Sequence, residues 1–221
     1  MLVTGAARGI GAAIAERLGA DGWQVHAVDV DDGDLTTLAG NRAVVDAALA
    51  RFDGRLDAVV ANAGFQHVAP VRDFPEDRWD ALVALLLTSP FLLAKYAWDA
   101  LSASGDGRFL AVASVHGLVA SPFKAGYVAA KHGVVGLVKV LALEGADVGI
   151  SASALCPAYV RTGLVEAQLR DRSEEDLLGP QAVKRLLDPA EVAAAAAWLL
   201  GPDGRSVTGA PFVMDLGWTA R

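Results

Sequence analysis

Tyr127 and Lys131 stand four residues apart in a stretch of helical period, so both project from one face of a helix. A phenol titrates near 10 and exchanges protons near neutrality only with help. An ammonium beside it favours the phenolate, and each unit of lowering corresponds to about 1.4 kcal/mol. Ser114 lies 13 residues before Tyr127, at the end of a predicted strand, where its hydroxyl can hold a substrate oxygen. Such a trio suits proton exchange with a substrate hydroxyl. In isolation, Tyr-x-x-x-Lys also fits a core tyrosine beside a solvated lysine. Ser114-Val115-His116 lacks the flanking glycines of a hydrolase nucleophile elbow. The four histidines are scattered and the one cysteine, Cys156, has no partner spacing, which speaks against a metal site.

A second set of residues fits phosphate. Thr4-Gly5-Ala6-Ala7-Arg8-Gly9-Ile10-Gly11 falls between a predicted strand and a predicted helix. Glycines there permit a tight turn and let backbone N–H groups approach a pyrophosphate, whose charge the helix N-terminus favours. Asp29 ends the next strand, 18 residues after Gly11. A carboxylate at that point accepts hydrogen bonds from ribose hydroxyls and repels a 2′-phosphate, so NAD is expected rather than NADP. Arg8 is the contrary sign, because a basic residue in this loop can meet a 2′-phosphate.

These residues need a scaffold, and the pattern supplies one. Strand-like runs at 2–4, 25–30, 58–61, 109–114, 150–156 and 212–214 alternate with helical stretches at 9–20, 41–52, 76–102, 127–145, 164–170 and 189–200. Several strands are apolar on both faces, as a parallel sheet covered by helices requires. The expected fold is α/β: a single-domain, doubly wound parallel sheet, Rossmann-like, with helices on both faces. The 221 residues fit one domain, 1–221. Residues 163–188, with a charge cluster from Arg170 to Asp176, are expected to form a substrate lid.

Composition narrows the partners. With 53% hydrophobic residues and a net charge of −7, neither disorder nor binding to nucleic acid or anionic lipid is expected. The apolar run 81–94 is broken by Thr88-Ser89-Pro90 and is shorter than the roughly 20 residues of a membrane span. A single cysteine suits a reducing cytoplasm. The chain opens directly on its first strand, without a basic-then-apolar leader, which leaves open a start upstream of Met1.

The spacing Thr-Gly-x-x-x-Gly-x-Gly, Asn62-Ala63-Gly64 after a strand, Ser114, Tyr127-Val128-Ala129-Ala130-Lys131 and the C-terminal Thr208–Asp215 run resemble the short-chain dehydrogenase/reductase family over essentially the whole chain. The resemblance implies that Tyr127 exchanges the substrate proton, Lys131 lowers its pKa and binds ribose, and Ser114 orients the substrate. Hydride passes directly between substrate carbon and nicotinamide. It also implies cofactor contacts from Gly5, Arg8, Gly9, Ile10, Gly11, Asp29, Asn62, Ala63, Gly64, Tyr127, Lys131, Pro157, Val160 and Thr162. Asp34 and Leu35 stand in for the adenine-contacting pair. The apolar helices around 82–94 and Tyr127 imply subunit packing, as a homodimer or homotetramer.

Residues 62–140 are most similar to bacterial D-3-hydroxybutyrate dehydrogenases within that family. The likeness implies that Gln66, His116, Lys124 and Gln168 surround a small substrate carboxylate, where a cation and several donors make charge-assisted bonds. Tyr159 replaces the lid-side Trp, leaving room for a larger or more polar substrate. Leu86 stands where many members carry an asparagine supporting a proton relay from the lysine. Ala158 replaces a glycine, and 31–40 is too short for the usual strand–helix–strand, so one helix is expected to be missing.

The expected function is NAD-dependent interconversion of a secondary alcohol and a ketone, with a short 3-hydroxy acid such as 3-hydroxybutyrate as substrate. The alternatives are a dehydrogenase for a larger biosynthetic substrate and a low-turnover NAD-binding sensor or assembly protein.

Overall fold

Strands form where short runs of Val, Ala, Leu and Ile are flanked by turn residues: β1 (Leu2–Thr4), β2 (His26–Val28), β3 (Ala58–Ala61), β4 (Gly107–Val112), β5 (Ile150–Pro157) and β6 (Pro211–Met214). In the computed structural model, which describes residues 1–170 and 173–220, these pair in parallel in the order β2-β1-β3-β4-β5-β6. Asp171, Arg172 and Arg221 lie outside the described residues, and with the first two goes part of the Arg170–Asp176 charge cluster. The order reverses at β1, which lies between β2 and β3, so a crevice opens at the carboxyl ends of β1 and β3.

The helices are α1 (Gly9–Ala20), α2 (Leu38–Arg51), α3 (Glu76–Val83), α4 (Ser89–Ala103), α5 (Ala125–Gly145), α6 (Gly163–Gln168), α7 (Glu174–Leu178) and α8 (Pro189–Leu200). Alternation along the strands builds two cores. Leu2, Val59, Phe109 and Ala152 face α2, α4 and α5, whereas Val3, Val60, Leu110 and Leu155 face α1 and α8. Local chemistry fixes the helix starts. Thr37 accepts from the Gly40 N–H ahead of α2, and Asp188 and Glu191 form a reciprocal capping box with Pro189 in the first turn of α8.

Four expectations are corrected. The helix expected over 76–102 is interrupted by a π turn, Ala84–Thr88, between α3 and α4. Pro90 cannot donate to the carbonyl four residues back and its ring crowds that position, which the wider turn accommodates. The apolar run is therefore not broken: Glu76–Ala103, like Ala125–Val148, is long and apolar enough to span a bilayer, while its buried Leu82, Leu93, Ala97 and Leu101 join the protein interior. Ser114 lies beyond β4 and caps a 3₁₀ turn, Val115–Gly117. Finally, α7 forms within a charged stretch that the pattern left unassigned, because Ser173 caps it and Glu174, Glu175 and Asp176 fill its first turn. Between β2 and α2 there is only a turn, as the short 31–40 segment implied.

Candidate active site

One cleft, about 1330 Å³, runs along the carboxyl ends of the strands. At its β1 end the glycine loop is held open by backbone geometry. Gly5 and Gly9 have φ of +64° and +60°, a region that disfavours side chains. Asn62 Nδ2 donates to the carbonyls of Thr4 (2.9 Å) and Gly5 (3.0 Å), locking the loop to the end of β3. Asp29 accepts from the Ala7 N–H at 2.8 Å, closing the loop against β2. Asp34 accepts from the backbone and hydroxyl of Thr36, which holds its carboxyl below the usual range. Arg8, Ile10, Leu35, Ala63, Gly64, Pro157, Val160 and Thr162 line the same cleft.

Gly11 does not line the cleft. It is buried behind Gly5, where an added Cβ would lie 2.1 Å from the Gly5 carbonyl oxygen and 2.4 Å from Asn62 Nδ2. Its role is close helix–strand approach rather than ligand contact. This end fits a dinucleotide: a side-chain-free loop, the N–H groups opening α1, and carboxylates at the end of β2.

Ser114, Tyr127 and Lys131 converge in the middle. Ser114 and Tyr127 line the cleft together, and Lys131 Nζ lies 5.6 Å from the Tyr127 ring centroid. Burial dominates and pushes the Tyr127 phenol up to about 12, with Ser114 opposing, while the Lys131 ammonium donates to the Val112 carbonyl at 2.7 Å. Burial brings Lys131 itself down to about 8. On its other side Tyr127 packs against the apolar cluster of Leu82, Leu86 and Ala130.

The far end is built from side chains. Lys124 is only 2% exposed, and its Nζ donates to the Tyr159 hydroxyl at 3.0 Å. The polar tip of Tyr159 is thus engaged, and Trp218 lies against its ring at 5.4 Å between centroids. His116 packs edge-on to Trp218, Tyr127 and Tyr159 at 5.3, 5.9 and 6.3 Å. Burial, and then the Lys124 charge, pushes His116 down to about 3, so its ring is neutral. Gln66 carries a buried, unpartnered amide oxygen, and Gln168 on α6 lines the cleft.

Sequence reading missed two participants. Trp218 reaches the site because Asp215 accepts from the Gly217 and Thr219 N–H groups, folding the C-terminal turn over His116. A lone tryptophan after β6 was its only signal. Ser121 bonds to His116 Nε2 at 2.9 Å, and nothing in its local sequence marks it.

The doubly wound sheet, the glycine loop and the Ser–Tyr–Lys centre together define a nucleotide-dependent oxidoreductase. Residues 1–41 match the family model described as short chain dehydrogenase, and residues 32–219 match the one described as enoyl-(acyl carrier protein) reductase. The chain belongs to the short-chain dehydrogenase/reductase family and is an NAD(P)-dependent oxidoreductase acting on CH–OH donors and small-molecule substrates. It is 39% identical over 251 residues to the uncharacterised oxidoreductase YxjF of Bacillus subtilis, spanning 100% of this chain and 98% of that protein. It is 38% identical over 252 residues to a D-beta-hydroxybutyrate dehydrogenase of Cupriavidus necator, spanning 100% and 97%. A D-beta-hydroxybutyrate dehydrogenase of Rhizobium meliloti is 42% identical over 182 residues, spanning 77% of this chain and 70% of that protein.

Proposed function

We propose that this protein is an NAD-dependent dehydrogenase of a short 3-hydroxy acid such as 3-hydroxybutyrate. The observation that carries the substrate assignment is Lys124, a lysine held 2% exposed at the end of the cleft beyond Ser114 and Tyr127. Burying an ammonium costs several kcal/mol, and a substrate carboxylate beside it returns Coulomb attraction where water is excluded. Rotating the Gln66 amide turns its N–H groups toward the place its unpartnered oxygen occupies, adding donors for the same carboxylate. His116, neutral, packs edge-on to Tyr127 and Tyr159 and completes the wall of the pocket. The two hydroxybutyrate dehydrogenase relatives support the reading.

Gly5, Arg8, Gly9 and Ile10 hold the pyrophosphate, Asp29 reads the ribose and selects NAD, and Asp34 and Leu35 flank the adenine. When bound, the nicotinamide supplies the hydride acceptor. Ser114 holds the substrate oxygen and Tyr127 exchanges its proton. Residues 163–170 and 173–188 serve as a lid over the cleft, with Gln168 closing on the substrate. Exposed Phe91 on α4 and Val140 and Leu143 on α5 support packing against further copies of this chain, and the protein works in the cytoplasm.

The test is NADH formation from NAD over a panel of D-3-hydroxybutyrate, longer 3-hydroxy acids and neutral secondary alcohols. Turnover of the short acids is expected. Turnover confined to neutral or bulky alcohols would discard the carboxylate pocket while keeping the chemistry.

A further inference from the structure

A chain of hydrogen-bonding groups leads from the reacting phenol to a second surface groove. Ser114 and Tyr127 line the same cleft, where the serine hydroxyl opposes the rise of the phenol, and Ser114 Oγ lies 3.4 Å from His116 Nδ1. Across the same ring, His116 Nε2 lies 2.9 Å from Ser121 Oγ. Ser121 is half-buried and lines a groove of about 420 Å³ with Pro122, Phe123 and His132, which shares only Lys124 with the main cleft. The other flank of Tyr127 is hydrocarbon, with Leu86 2% exposed in the π turn. Lys131 Nζ is buried and spends a hydrogen bond on the Val112 carbonyl.

We propose that Ser114, His116 and Ser121 form the proton path that connects Tyr127 with solvent in this enzyme, with Ser121 as its outer residue. The inference rests on the dehydrogenase reading above. During alcohol oxidation the substrate O–H bond breaks and a bond to Tyr127 Oη forms. The proton already on Oη passes to Ser114 Oγ, whose own proton passes to His116 Nδ1. The Nε2 proton passes to Ser121, and the Ser121 proton leaves to water. The electron pair of the substrate C–H bond departs with the hydride, so one alcohol yields one ketone, one hydride transferred and one proton released. Rotation of the two hydroxyls and a tautomer exchange of the imidazole reset the chain, and reduction runs it backwards. Passed on in concert, the forward transfer forms neither a free phenolate nor an imidazolium, the two species that burial disfavours here.

Ser121→Ala removes the outer link and leaves the Ser114, Tyr127 and Lys124 side chains that face the substrate in place. The expected result is a kcat for alcohol oxidation lowered about tenfold with KM within about twofold, since positioned proton transfer contributes large rate factors. Ser121→Thr keeps the hydroxyl and retains the rate. Added imidazole buffer rescues Ser121→Ala, and so does a second substitution, Leu86→Asn, which places a polar group on the opposite flank. Nitrogen-15 NMR of the cofactor-free protein supplies a readout independent of turnover: a neutral His116 ring whose Nε2 resonance moves in Ser121→Ala. An active wild type with an unaltered Ser121→Ala rate, a loss that neither imidazole nor Leu86→Asn restores, or a ring insensitive to Ser121 would overturn the path alone. A wild type that forms no NADH on the whole alcohol panel would overturn the dehydrogenase reading and the path with it.

Discussion

The two ends of the cleft are held by different means. At the dinucleotide end, backbone does the holding: positive-φ glycines, the Asn62 amide on two loop carbonyls and the Asp29 carboxylate on the Ala7 N–H. At the substrate end, the wall is made of side chains from separate stretches, His116, Lys124 and Tyr159, with Trp218 packed against two of them. A backbone-built site tolerates little change at its glycines and little choice of ligand shape. A side-chain-built pocket is retuned by single substitutions and carries the specificity. The middle of the cleft, where Ser114 meets Tyr127, belongs to neither end and carries the chemistry.

That contrast can be broken at defined points. The largest effect is expected from Tyr127→Phe, which removes the proton-exchanging group. Its kcat should fall by about a thousandfold or more while calorimetry finds NAD affinity within about threefold. Gly11→Ala comes next. Alanine improves helix propensity by about 1 kcal/mol, but its Cβ would lie 2.1 Å from the Gly5 carbonyl oxygen, and the clash wins. NAD affinity should fall about a hundredfold with substrate KM little changed, the signature of damage confined to the backbone-built end.

Acid sharpens the comparison from the other side. His116 titrates near 6.5 unfolded and is pushed down to about 3 when folded, so the unfolded chain binds the extra proton between those values. Stability therefore rises with pH across that window and is lost as pH falls through it. Between pH 6.5 and 5 the loss should be about 2 kcal/mol by chemical denaturation, and His116→Gln should flatten it. A slope unchanged in His116→Gln would place the sensitivity elsewhere.

Lys124→Ala should raise KM for hydroxy acids about thirtyfold and that for neutral alcohols far less, because a charge-assisted bond to a carboxylate is worth about 2 kcal/mol. Equal effects on both substrate types would remove the carboxylate from the argument. The smallest change is expected from Asp29→Ala: NAD affinity about tenfold weaker and the preference over NADP relaxed, read from the ratio of kcat/KM values. An unchanged ratio would mean that Asp29 serves only to brace the loop through Ala7.

The strand runs and the glycine loop were legible in the chain because each depends on neighbours close in sequence, and the parallel pairing followed from the alternation of strands with helices. Apolar runs of strand length, glycines where backbone needs room, and the four-residue spacing of Tyr127 and Lys131 follow from local geometry alone. Gly11 was legible as necessary but not as buried, since its constraint comes from the Gly5 carbonyl and from Asn62 across the sheet.

What only the tertiary structure decided was electrostatic and long-range. Lys124 reads in sequence as a loop lysine, and its burial beneath Tyr159 arises from contacts 35 residues apart. Trp218 reaches His116 only after β6 and its turn fold back over the site. The balance of influences on Tyr127 is long-range for the same reason. A neighbouring charge can be guessed from spacing, but desolvation depends on everything packed around the phenol and here outweighs it.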